Sequence, residues 1–246
     1  MTRVEDALRS VGDVVSTIWT AATSPVAVPD QTLALATAAV ALAVVLVTPV
    51  WRVARHVVTI AHEGGHGVMA LLTGRKLSGI RLHSDTSGLT VSSGRPRGIG
   101  MILTAAAGYT APALIGLGAA ALLEAGYAVG LLWLLVLLLA LLLLQIRNWF
   151  GLWSVLVSGA ALVGVSWFLD AETQTAVAAT VTWFLLLGSV RPVLEMQAQR
   201  RRGRGGRSDA DLLARITPLP GLAWVGIFLV VTVACVVVGG RWILGY

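Results

Sequence analysis

The stretch Ala61-His62-Glu63-Gly64-Gly65-His66-Gly67 decides how the rest of the chain is read. On an α-helix, residues four apart lie on one face, about 6 Å from each other. His62 and His66 can therefore hold one metal ion from the same side, as tetrahedral zinc requires. Glu63 is left beside the metal, where a carboxylate can take a proton from a water. The run around the motif is apolar. Buried imidazoles and carboxylates in a membrane helix are costly unless paired, so three of them within five residues point to function. Gly64, Gly65 and Gly67 each cost a helix about 1 kcal/mol relative to Ala. Their expected return is room for a substrate or a neighbouring helix near the metal.

Composition agrees with a membrane setting. The chain has 246 residues, of which 57% are hydrophobic and 12% charged, and its mean hydropathy is +0.83. Soluble domains carry about 25% charged residues. A net charge of +6 would suit a nucleic-acid partner, but the arginines lie between apolar runs. Orientation in the bilayer and contact with lipid headgroups explain them better, and no nucleic acid is expected. The one cysteine, Cys235, sits inside the last apolar run and can form neither an intrachain disulfide nor a cysteine zinc cluster. Residues 1–30 contain Glu5, Asp6 and Asp13 and no compact apolar core, so no cleaved signal peptide is expected. Val4, Leu8, Val11, Val15, Ile18 and Trp19 instead predict an amphipathic, cytoplasmic surface helix.

The expected fold class is an all-α polytopic membrane protein, with residues 31–246 as one membrane domain. A span needs about 20 mostly apolar residues to cross about 30 Å of hydrocarbon. Seven candidates run over 32–49, 52–73, 99–123, 128–147, 149–169, 173–190 and 219–240. With these spans, only Arg52, Arg55 and Arg241 fall on one side, and the rest of the 18 Lys and Arg residues fall on the other. The positive-inside rule then places the chain in the cytoplasmic (inner) membrane, N-terminus cytoplasmic and C-terminus outside. The arginine-rich segment 191–215 becomes a cytoplasmic linker. Residues 75–97 read as a β-hairpin, since Lys76–His83 and Leu89–Ser92 flank the turn-rich Ser84-Asp85-Thr86-Ser87-Gly88. Its edge can hold an extended peptide by strand addition.

Ala61 through Gly74, the hairpin and the multi-span frame resemble the site-2 protease family of intramembrane zinc metallopeptidases. More narrowly, they are similar to a small bacterial branch in which His-Glu-x-Gly-His is followed by Leu-Thr-Gly-Arg, here Leu72 to Arg75. Arg147-Asn148 and Ser208-Asp209-Ala210-Asp211 extend the resemblance over most of residues 55–240. It implies hydrolysis of peptide bonds within or near the bilayer, membrane-spanning protein substrates, and Zn2+ held by two His and a carboxylate.

The chain has no Asp-Gly pair, the family's usual source of that carboxylate. Leu169-Asp170-Ala171 comes nearest, but the charge count puts Asp170 on the outer side. Asp209 and Asp211 are on the expected side. Ser208 and Asp211 fit a capping box, which leaves Asp209 as the favoured ligand and Asp211 as the runner-up. Asn148 is a candidate for hydrogen bonding a substrate carbonyl or its oxyanion, or else for capping a helix. His56 and His83 are expected to be structural or solvated. Two readings from other classes stand beside hydrolysis: a non-catalytic membrane scaffold, and a metal transporter. The transporter lacks a second ligand cluster along the other spans.

Overall fold

Apolar runs punctuated by Pro, Gly and Asp set the helix boundaries. The computed structural model describes residues 2–203 and 208–246, and side chains from residue 11 onward. In chain order the elements are α1 (Thr2–Thr23), α2 (Gln31–Leu46), α3 (Thr48–Leu72), β1 (Lys76–Leu82), β2 (Gly88–Ser93), α4 (Ile99–Glu124), α5 (Ala128–Leu143), α6 (Trp149–Phe168), α7 (Ala171–Arg201), α8 (Asp209–Ile216) and α9 (Gly221–Leu244). Asp30 and Asp170 cap α2 and α7 by accepting from Leu33 N (2.7 Å) and Thr173 N (2.9 Å).

Four helices, α4, α6, α7 and α9, are long and apolar enough to cross a membrane. These apolar helices point to an integral membrane protein. The expected spans 32–49 and 52–73 are α2 and α3, bent by 103° at Val47, and count as a fifth span if taken together. Pro49 explains the break. It has no N–H to offer the carbonyl of Val45 four residues earlier, and its ring disfavours helix before it. The Arg191 guanidinium takes that carbonyl instead. The expected span 128–147 stops at Leu143, because residues 145–147 turn into a strand-like contact with β1. Ile80 N donates to Gln145 O (2.7 Å) and Arg147 N donates to Ile80 O (2.9 Å). Strand pairing there overrides a leucine run that favours helix, so by length and composition four or five candidate spans stand where seven were expected, beside the shorter apolar α5.

Two contacts also fix which chain ends lie together. Gln31 Nε2 donates to the Tyr246 hydroxyl (2.9 Å), so the start of α2 lies beside the end of the chain. Val26 N also donates to Gly126 O (2.8 Å) at the α4–α5 turn. The start of α2, the α4–α5 turn and the C-terminus thus lie at one end of the helices, where the start of the first expected span and the C-terminus were expected at opposite ends. Arg55 and Arg191, counted on opposite sides, both pair with Glu195. The segment expected as a linker from 191 is helical through Arg201, and its residues 204–207 lie outside the described residues.

β1 and β2 form an antiparallel hairpin with an irregularity between Leu77 and Gly79. β1 lies between β2 and residues 145–147. A core of Trp51, Val58, Ala113, Ala120, Leu132, Trp183 and Leu186 ties α3, α4, α5 and α7 together. On α5, Leu131 and Leu132 are buried, and Leu134, Leu137, Leu138 and Leu141 form an exposed apolar face suited to lipid.

Candidate metal centre

Spacing on α3 builds one half of the site. Arg55, Thr59, His62, Glu63 and His66 fall on one helical stripe, and all five line a cavity of about 480 Å3. α4 runs close against this stripe because both helices carry glycine there. A Cβ on Gly65 would come within 2.3 Å of the Ala111 Cβ, and one on Gly108 within 2.3 Å of His66 Nε2. The room expected at the α3 glycines is thus filled at Gly65 by α4, and at Gly67 by Ile80 and Leu77 of β1.

His66 Nδ1 lies 2.7 Å from the Thr104 carbonyl. A carbonyl can only accept, so Nδ1 carries the proton and Nε2 keeps its lone pair for a metal. His62 and His66 Nε2 are 3.1 Å apart, and Asp209 Oδ2 is 3.3 Å from each. Two ligands at zinc bond lengths subtend an edge of about 3.3 Å when the coordination is tetrahedral. The three atoms match one face of such a tetrahedron, so the residues fit zinc. Among the described residues, this is the one cluster of three or more His, Cys, Asp or Glu able to hold a metal.

Asp209 arrives on α8, a helix of eight residues. Ser208 and Asp211 close the capping box expected from the sequence, each side chain bonding the other's backbone N–H. Asp211 also pairs with Arg200 at the end of α7. Ala210 and Leu213 are fully buried in a cluster with Ala105, Val193, Met196 and Phe228. These contacts turn Asp209 toward α3 and keep Asp211 away from it. Burial alone would push the Asp209 carboxyl up, but the two imidazoles hold it below the usual carboxylate range. Asp170 is engaged elsewhere, as the N-cap of α7.

Glu63 is buried at 5% exposure, next to the two histidines in sequence and against β2 in space. Thr90 Oγ1 donates to Glu63 Oε2 at 2.6 Å. A Cβ on Gly88 would lie 2.4 Å from Glu63 Cγ, so the backbone of β2 closes directly over the carboxylate. Tyr109 makes the facing wall, edge-on to His62 at 4.8 Å between ring centroids and stacked on Phe228 at 5.3 Å.

A family model described as Peptidase M50B-like matches residues 35–239. The chain belongs to this family. The match takes in both histidines, Glu63, the hairpin, Asn148 and α8. It supports the resemblance to site-2 proteases and points to a membrane metalloprotease. No curated protein and no solved structure matches the chain.

Asn148 stands apart from the M50B-like cluster. Its Nδ2 donates to Leu82 O (2.6 Å) and its Oδ1 accepts from Leu82 N (3.1 Å), so its amide extends the pairing along β1. Asn148 does not line the cavity, and its side chain makes no cap bond to α6. His56 packs on Phe150, and His83 sits by Ser87 in the hairpin turn. The sequence reading missed Thr90, Thr104, Gly108 and Tyr109. Thr104 acts through a backbone carbonyl, which carries no residue signal. Thr90 and Gly108 matter only through contacts across the fold.

Proposed function

We propose that the protein is an intramembrane zinc metalloprotease, with His62, His66 and Asp209 holding Zn2+ and Glu63 as general base. What carries this reading is the 3.1–3.3 Å triangle of His62, His66 and Asp209, with Glu63 beside it on the same cavity. A zinc ion at the triangle supplies Lewis acidity, which polarises a peptide carbonyl and makes water nucleophilic near neutral pH. Glu63 takes a proton from that water and returns it to the departing amine nitrogen. Thr90 holds the Glu63 carboxylate by one oxygen, which leaves the other for the proton. The Thr104 carbonyl keeps His66 in the tautomer that binds metal.

The substrates are membrane-associated proteins, presented as extended chains. One edge of β1 pairs with residues 145–147 and Asn148, and the other with β2. The edge of β2 away from β1 is therefore the one suited to strand addition, and Gly88, Leu89, Thr90 and Ser92 line the cavity. Arg200, Arg201 and Arg202 at the end of α7, with Arg75, Lys76, Arg81, Arg95 and Arg97 around the hairpin, favour the cytoplasmic side for this face. The C-terminus then lies outside, with the start of α2 beside it.

The test uses detergent-purified protein reconstituted with a panel of single-span membrane proteins, and cleavage is read by mass spectrometry. Wild type cleaves and contains zinc. Glu63→Gln keeps its zinc and loses at least about a hundredfold in rate. Undiminished cleavage by the Glu63 variant would overturn the proposal.

A further inference from the structure

The stripe on α3 that carries the histidines begins with a cation. Arg55 lies seven residues before His62, almost two full turns, so both face the same cavity about 10.5 Å apart along the axis. Around Arg55 is a compact polar group. Glu195 Oε1 accepts from Trp51 Nε1 (3.1 Å) and Arg191 Nε (2.9 Å), and Glu195 Oε2 lies 3.3 Å from Arg55 Nη1.

The two arginines of this group are used differently. Arg191 is committed on three sides: to Glu195, to the Val45 carbonyl at the α2–α3 break, and to the Trp51 ring, 5.0 Å below its guanidinium. It holds the bend. Arg55 lies farther from the same ring, at 5.9 Å, and of its five N–H donors only Nη1 is in an ion pair among the described residues, with Glu195. Two guanidinium groups against one carboxylate leave one positive charge uncompensated, and Arg55 is the arginine that lines the cavity. The other carboxylates on the cavity wall, Glu63 and Asp209, are at the metal end. Arg55 shares its one carboxylate with Arg191, and its remaining donors are free to take an anion that enters the cavity.

We infer that Arg55 forms a carboxylate-binding subsite, which selects substrates carrying an acidic group about three residues from the bond that is cut. The spacing follows from the helix rise: an extended chain advances about 3.4 Å per residue, so three residues span the distance from His62 to Arg55. A planar guanidinium matches a carboxylate through paired hydrogen bonds, which fixes register as well as charge. Glu195 holds Arg55 from the α7 side and competes weakly with the incoming carboxylate. This inference rests on the zinc hydrolase reading above, since it places the subsite by its distance from the metal.

Peptide hydroxamates test it by binding, without requiring turnover. Each probe carries a zinc-chelating hydroxamate and a Glu or a Gln three residues away, in two series with the peptide on either side of the chelator. The expected result is that, in one series, the Glu probe binds zinc-loaded wild type about tenfold tighter than its Gln twin, the size of one charge-assisted hydrogen bond. Arg55→Gln brings the pair within about twofold, Arg55→Lys keeps part of the preference, and Glu195→Gln enlarges it. The Glu195 variant moves the ratio in the opposite direction from Arg55→Gln, so a general loss of folding cannot imitate both. A further pair, ending at the same position in a free carboxylate or an amide, tells a chain terminus from an acidic side chain. Equal binding of Glu and Gln probes in both series, or a preference that survives Arg55→Gln, overturns the subsite. Failure of every hydroxamate to bind would instead overturn the zinc reading, and the subsite with it.

Discussion

The two histidines and the aspartate reach the metal centre from elements of unlike build. His62 and His66 stand on α3, 25 residues long and in close contact with α4 through Gly65 and Gly108. Asp209 stands at the start of α8, eight residues long, joined to α7 through residues 202–208. The first half is organised by the packing of long helices. The second is delivered by a short helix whose hold is itemisable: a capping box, the Arg200–Asp211 ion pair, and the burial of Ala210 and Leu213. An eight-residue helix is unstable alone in water, so these contacts have to supply its order. With zinc held as proposed, its affinity would depend on docking α8 as much as on the geometry of α3.

Substitutions on either half can break that contrast. Gly108→Ala puts a methyl group 2.3 Å from His66 Nε2, so it strikes the fixed half. Zinc affinity is expected to fall about a hundredfold, read by chelator competition, with helical content by circular dichroism unchanged. Arg200→Ala strikes the delivered half and lowers zinc affinity about tenfold. It also speeds limited proteolysis within α8, which Gly108→Ala does not. Equal proteolysis in both variants would erase the distinction between the halves. Thr90→Val touches neither half. It removes one hydrogen bond from Glu63, so zinc affinity stays and kcat drops about tenfold, measured at saturating substrate.

The sequence shows these two halves unequally. The His-Glu-x-x-His spacing is local, and helix geometry alone puts the two imidazoles on one face. The reading of Ser208 and Asp211 is equally local, and it bears on Asp209 because a capping box consumes the neighbouring carboxylate. The hairpin is legible for the same reason, from alternation and a turn-rich centre. What could not be read depends on contacts distant in sequence. Ile146 leaves its leucine helix to pair with Ile80, and Val45 loses its helical partner to Pro49 and gains Arg191. The first shortens α5 and the second goes with the sharp bend between α2 and α3, and both bear on a count of crossings based on apolar length. The surroundings of Asn148 were hidden in the same way. Its amide chemistry suits an oxyanion, but Leu82, 66 residues away, occupies both ends of it.

The most direct test of the metal centre is the zinc dissociation constant of detergent-purified wild type, Asp209→Ala and Asp211→Ala, measured by competition with a chelator of known affinity. The account predicts that Asp209→Ala weakens zinc binding by at least about a hundredfold, as for loss of a ligand, and Asp211→Ala by about tenfold, as for loss of support. Zinc bound by Asp209→Ala as tightly as by wild type, or a larger loss in Asp211→Ala than in Asp209→Ala, would contradict it.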